Sequence, residues 1–126
     1  MGAKRLAKKS GMVELILPWP PSINRYWRRR GSQYFISKEG QDFRKNVILL
    51  CKEIPKIFDK NDKLFIDIKA SPPDKRRRDI DNILKALMDS LQHAEVYHDD
   101  NQINKIHIER QSTFLSNVTI NLSKII

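Results

Sequence analysis

Three features of the sequence predict an α/β (α+β) domain: a mixed β-sheet of about four strands with two helices, in the order β-α-β-α-β-β. Four short segments alternate apolar and polar residues with period two, and two longer ones repeat apolar residues at helical spacing. Each helical segment carries a single apolar stripe, which needs one cover. The 126 residues allow one domain of ordinary size. At that length a folded chain hides roughly two-thirds of the surface it exposes when unfolded. A hydrophobic share of 40% with only 4 Gly and 6 Pro excludes a wholly disordered chain.

Each element has its own signature. Residues 1–11 (MGAKRLAKKSG) carry four cations and little to bury, so they are expected to form a flexible basic arm ahead of a single domain over 12–126. Residues 12–17 place Val13, Leu15 and Leu17 in period two and stop at Pro18, as a strand does. Residues 18–37 are rich in Pro, Arg and aromatics without helical periodicity. They read as a long irregular loop, a kind of segment that is usually functional or mobile. Ser37 can cap the first helix, along which Phe43, Val47, Leu50, Cys51 and Ile54 repeat at helical spacing until Pro55. Leu64, Ile66, Ile68 and Ala70 then alternate with Phe65, Asp67 and Lys69 in a strand closed by Pro72-Pro73. A second helix starts at about Asp79 or Ile80, with Ile80, Ile83, Leu84, Leu87, Met88 and Leu91 in one stripe. Residues 103–110 and 117–122 are the last two strands, joined by a polar connection that permits an antiparallel pair.

Composition narrows the function. The single cysteine, Cys51, excludes an internal disulfide framework and a zinc site needing two thiolates; its place on the helical stripe makes it a core thiol. No run reaches the length of a membrane span, and the N-terminus lacks the apolar stretch of a secretory signal. A reducing cytoplasm is the expected setting. The net charge is +9, and it is uneven: residues 1–52 hold 12 basic and 3 acidic residues, residues 53–126 hold 12 of each. A basic half beside a neutral half rich in aspartate points to a polyanion partner, with a separate task for the acids. A basic solubility face is the plain alternative.

The acids gather in one place. Residues 74–89 (DKRRRDIDNILKALMD) set Asp79 where it can cap the second helix, a position the helix dipole favours for a carboxylate. Helical rotation brings Asp81, Lys85 and Asp89 into one arc, turned away from the centre of the apolar stripe. In an ordinary helix Asp79 would cap, Asp81 would pair with Lys85, and no chemistry would follow. Two features argue for more. Asp99-Asp100 stand just before a strand, and carboxylates from a helix start and a strand start can converge on a hard cation such as Mg²⁺ or Mn²⁺. The four-cation run 75–78, including Arg76, Arg77 and Arg78, directly abuts Asp79. Cations that hold a DNA backbone beside carboxylates that hold a metal are what phosphodiester hydrolysis needs.

Competing sites are weaker. Asp67 and Lys69 form a D-x-K triplet on one face of a strand, a pattern that half-exposed strands produce routinely. His93 and His98 lack a partner thiol or a spaced histidine, and His107 alternates with isoleucines. The aromatic segment is a second candidate surface: Trp19, Tyr26, Trp27, Tyr34 and Phe35 interleave with Arg25, Arg28, Arg29 and Arg30. That mixture suits bases exposed at a distorted or unpaired point of DNA. Arg28, Arg29 and Arg30 cannot all be buried and are read as phosphate contacts.

Several pieces in order resemble a known family. They are residues 17–26 (LPWPPSINRY), 37–41 (SKEGQ), 76–82 (RRRDIDN) with Lys85, and Asp99-Asp100 with Gln102. Over about residues 13–122 they resemble the RusA-type Holliday junction resolvases of bacteria and their prophages. The resemblance implies a cytoplasmic homodimer that cuts four-way DNA by paired symmetric nicks in recombination and repair. It implies dependence on Mg²⁺, with Mn²⁺ able to substitute, and no small-molecule cofactor. By matching position, the family's three essential aspartates fall on Asp79, Asp81 and Asp100, and its essential lysine on Lys85. The departures are the extra basic arm, an ending soon after the last strand, and Glu95 where the family often has glycine; the last puts the usual left-handed cap in question. Two other readings compete: a basic DNA-binding module without catalysis, and a less selective nuclease for branched DNA. The acid cluster discriminates against the first, because aspartates beside arginines repel phosphate unless a cation intervenes.

Overall fold

The computed structural model describes residues 8–9 and 11–126. In chain order the elements are β1 (Lys8–Lys9), β2 (Met12–Pro18), α1 (Ile23–Tyr26), β3 (Trp27–Arg30), β4 (Gln33–Ile36), α2 (Lys38–Leu50) and β5 (Leu64–Ser71). A 3₁₀ turn (Ile80–Ile83) then leads into α3 (Leu84–His93), and a second 3₁₀ turn (Asp100–Gln102) leads into β6 (Ile103–Arg110); β7 (Asn117–Lys124) is last. The main sheet runs β1-β2-β7-β5-β6, with β5 and β6 parallel and every other pair antiparallel. This is the mixed sheet with helices that the sequence predicts. Lys8 and Lys9 pair with Val13 and Met12, while residues 1–7 and 10 of the expected arm lie outside the described residues.

The period-two residues form one inner face. Val13, Leu15 and Leu17 from β2, Leu64, Ile66 and Ile68 from β5, and Val118, Ile120 and Leu122 from β7 are all buried in one core with Phe43 and Val47 of α2 and Leu87 and Leu91 of α3. Cys51 is buried there as expected, and burial pushes its thiol up to about 11, well away from a reactive thiolate. Ser37 caps α2, its hydroxyl accepting from the Gly40 N–H at 2.9 Å. Gly40 is required by a second close approach: a Cβ there would lie 2.7 Å from the Tyr26 carbonyl oxygen and 2.8 Å from Ile36 Cγ1.

Three expectations are corrected. Residues 18–37 are not an irregular loop. They contain α1 and a β3–β4 hairpin closed by Gly31-Ser32, with Gly31 at φ +61°. Gly-Ser between paired segments is a hairpin signal, hidden because Arg28–Arg30 break the apolar alternation. The last two strands do not pair with each other. Residues 111–116 step over the end of β5, so that β7 enters the middle of the sheet between β2 and β5, and β6 becomes an edge. The fully buried Val118, Ile120 and Leu122 demand that central place, whereas β6 keeps most of its residues exposed. Finally, Glu95 retains the left-handed cap at φ +61°, with the Val96 N–H reaching back to the Leu91 carbonyl at 3.1 Å.

Candidate active site

The arginine loop and the 3₁₀ turn ahead of α3 line a cleft of about 890 Å³, together with Pro20, Pro21, Arg25 and Glu39. Arg76, Arg77, Arg78 and Asp79 all line it. The three arginines are not equivalent. Arg78 is turned inward, its guanidinium 2.8 Å from Asp74 Oδ1 and also donating to the Asp74 and Arg76 carbonyls, so it shapes the loop. Arg76 is largely exposed and lies 3.9 Å from Asp74; Arg77 and Lys75 are exposed.

Asp79 stands at the N-cap position, but its side chain makes no capping bond, which leaves the carboxylate to the cleft. The helix it was expected to start opens instead with the 3₁₀ turn, where Asp81 is exposed. Among the described residues no ion pair ties Asp81 to Lys85. Lys85 is exposed one α-helical turn on, its Nζ 6.0 Å from the centre of the Trp27 ring.

The adjacent aspartates before β6 have different jobs. Asp99 is structural: its Oδ1 accepts from the Asn101 N–H at 2.8 Å in a capping box with Gln102. The buried Gln102 side chain locks the turn, accepting from the His98 and Asp99 N–H groups and donating to the Asp59 and Asp62 carbonyls. Asp100 is left to face α3. Its Oδ1 lies 2.7 Å from the Tyr97 hydroxyl, and its N–H donates to Gln92 Oε1 at 2.7 Å. Burial raises its carboxyl above the ordinary range; the charges of Asp89 and Asp99 add to that, against a hydrogen bond from Tyr97 and the charge of Lys85. The structure therefore brings Lys85 and Asp100 into one field. Among the described residues, however, no three His, Cys, Asp or Glu side chains close around a common point.

Asp89, on the arc with Lys85, is already satisfied. Arg44 donates to its Oδ2 at 2.7 Å and the Tyr26 hydroxyl donates to the same oxygen, joining α2, α1 and α3. Burial alone would raise Asp89, but those hydrogen bonds and the Arg44 charge hold its carboxyl below the usual range. Tyr97, Gln92 and Arg44 escape sequence reasoning, whereas Tyr26, read from sequence as part of an aromatic surface for exposed bases, is fully buried in the core and spends its hydroxyl on Asp89.

The remaining candidates fall elsewhere. Arg28, Arg29 and Arg30 project on the β3–β4 hairpin, where Arg29 lies over Tyr34 and Arg30 over Phe35, each 5.6 Å from the ring centre. Asp67 and Lys69 lie on the outer face of the sheet, away from the cleft; Asp67 is opposite His107 and Asn121, and Lys69 is 4.0 Å from Glu109. Among the described residues no helix is long and apolar enough to cross a membrane.

With this geometry in hand, comparison with known proteins defines the class. The sequence model of the Endodeoxyribonuclease RusA family matches residues 18–123. The chain is 51% identical over 98 residues to the crossover junction endodeoxyribonuclease of Enterobacteria phage HK97, covering 77% of this chain and 81% of the relative. It is 42% identical over 89 residues to that of Shigella sonnei and 40% identical over 89 residues to that of Escherichia coli K12, in each case covering 71% of this chain and 74% of the relative. Together with the arginine-lined cleft, these relatives make the protein a nuclease that acts on DNA. The chain belongs to the Endodeoxyribonuclease RusA family.

Proposed function

We propose that the protein resolves four-way DNA junctions, as a cytoplasmic homodimer, by paired symmetric phosphodiester cuts in recombination and repair. The observation that carries this is the cleft that Asp79 lines together with Arg76 and Arg77. Acids in a DNA-binding wall weaken binding unless a cation sits between them and the phosphate. The donor chemistry suits a hard divalent ion, Mg²⁺ or Mn²⁺, which Asp79, Asp81 and Asp100 would hold by drawing together around it, since they do not yet meet at a common point. Asp100 supports it too: burial, with the charges of Asp89 and Asp99 added, raises its carboxyl, and a bound cation would favour the charged form that burial disfavours. Such an ion supplies charge neutralisation at the phosphate and a more acidic water.

The chain's own groups do the rest. Arg76 and Arg77 grip the backbone beside the cut, with Arg78 holding their loop in shape. Arg28, Arg29 and Arg30 hold a second stretch of backbone from the hairpin. Lys85 offers an ammonium to the charge that builds on the phosphate, and Tyr97 orients Asp100 through its hydroxyl. Two strands must be cut at matched positions, and an isologous dimer supplies two related sites.

The test is a synthetic four-way junction with MgCl₂, beside linear duplex and chelator controls. Selective, metal-dependent cutting into nicked duplexes is expected, with light scattering near twice 14.8 kDa. A junction that is bound yet stays uncut in both Mg²⁺ and Mn²⁺ defeats the enzyme reading in favour of a plain DNA-binding module.

A further inference from the structure

The connection between β6 and β7 carries two large apolar side chains that the core does not use. Residues 111–116 are fastened to the end of β5 and to the segment that follows β2. The Gln111 N–H donates to the Ala70 carbonyl at 2.8 Å, Ser71 Oγ shares a 2.8 Å hydrogen bond with Thr113 Oγ1, and the Leu115 N–H donates to Ser71 Oγ at 2.8 Å. The Trp19 N–H closes the far end on the Ser116 carbonyl at 3.1 Å. A connection held at so many points is an ordered platform. Yet Phe114 is 48% exposed and Leu115 67% exposed. An adjacent apolar pair on a pinned loop, left in water, marks a contact surface.

The surroundings identify what it contacts. Phe114 forms one side of a second cleft of about 390 Å³, whose cationic walls are Lys75, Arg76, Arg77, Arg78 and Arg110. Among the described residues that line it the one acid, Asp74, is already engaged by Arg76 and Arg78. Guanidinium and ammonium groups around an exposed aromatic ring match a nucleotide whose base has left the stack: phosphate to the cations, base face to the ring. The volume falls in the range of clefts that hold small ligands.

We infer that Phe114, with Leu115 beside it, contacts an unstacked base next to the point of cutting, while Lys75, Arg76 and Arg77 hold the phosphate of that nucleotide. This rests on branched DNA being the substrate, because an intact duplex offers no free base face at the loop. Leu115 would act as the wedge that keeps the gap open.

Phe114→Ala, Phe114→Trp and Arg77→Ala test it, in binding to a four-way junction, a single strand and a linear duplex, in chelator buffer over a range of salt. Phe114→Ala is expected to weaken junction and single-strand binding about tenfold. Duplex binding and the salt slope should not change, since no charge is lost, and Phe114→Trp should bind like the wild type. Arg77→Ala should reduce the slope of log K against log[salt] by about 0.9 on duplex DNA, or about 0.7 on a single strand. Phe114→Ala that binds junction and single strand as tightly as the wild type overturns the inference, even if junctions are still cut. Wild type with no preference for the junction, but a Phe114→Ala variant that still loses the single strand, keeps the base contact and removes the junction reading. An unchanged salt slope overturns the phosphate half. Light scattering that finds Phe114→Ala monomeric where the wild type is dimeric makes the patch a protein contact and overturns the rest.

Discussion

Asp89 on α3 and Asp100 in the turn before β6 are near enough for the charge of Asp89 to act on Asp100, yet the net effect of their surroundings differs in sign. Asp89 receives Arg44 at 2.7 Å and the Tyr26 hydroxyl, with His93 Nε2 3.9 Å from its other oxygen. Asp100 has a tyrosine hydroxyl at 2.7 Å and no ion pair of its own among the described residues, and Asp89 and Asp99 add to its burden. Burial pushes both carboxyls up. At Asp89 the hydrogen bonds and Arg44 outweigh burial, and at Asp100 they do not. A carboxylate matched by its own fold braces the fold, and a mismatched one keeps capacity for something from outside.

The largest effect that would sharpen this contrast is catalytic. Asp79→Asn, Asp81→Asn or Asp100→Asn should lower junction cutting by at least about a hundredfold, since even groups that only support a metal ligand cost up to that much. Junction binding in chelator should hold or tighten as a negative charge leaves. A variant that cuts at the wild-type rate takes its residue out of the site. Next is Asp89→Asn, which leaves Arg44 half-buried without its anion and should cost about 2 kcal/mol in urea melts at pH 7. Its carboxyl is held below the ordinary value of about 3.9, so its contribution is present above that pH and is lost as pH falls through the folded value. Wild type and variant should therefore converge in acid; a gap that persists at pH 2 would show that the charge is not its source.

Asp100→Asn should act in the opposite sense on stability. A carboxyl raised on folding contributes fully below its unfolded value, and that contribution is lost as pH rises through the folded one. Asparagine mimics the protonated form, so in chelator at pH 7 the variant should gain about 1 kcal/mol while losing activity. A loss of stability would break the contrast with Asp89. The smallest effect concerns the turn that leads from α3 toward Asp100 and touches neither carboxylate. Glu95→Gly removes the strain of a side chain at φ +61° but loosens the unfolded chain, for a net gain of about 0.5 kcal/mol. Its cutting rate should match the wild type, and a changed rate would mean that this turn sets the position of Asp100.

The missed features share a cause. The β3–β4 hairpin hid because three of the four residues of β3 are arginines, and its anchorage comes from Trp27 and Ile36 packing on the core, a relation that local alternation cannot show. Asp99 and Asp100 are identical in sequence, and only Gln102 and Tyr97, which reach them through folded turns, make one a cap and leave the other open. Arg76, Arg77 and Arg78 are likewise one run on paper, divided in space by the single carboxylate of Asp74.

Sequence alone determined the inner faces of β2, β5 and β7, the stripes of α2 and α3, the Ser37 cap and the residues of the arginine–aspartate segment. Each depends on a period or on neighbours a few positions away, and such local relations are written directly in the chain. The tertiary structure decided the order of the strands, the pairing of Asp89 with Arg44, the burial that raises Asp100 and the exposure of Phe114. Those depend on groups tens of residues apart, and on how much water the packed chain leaves around them.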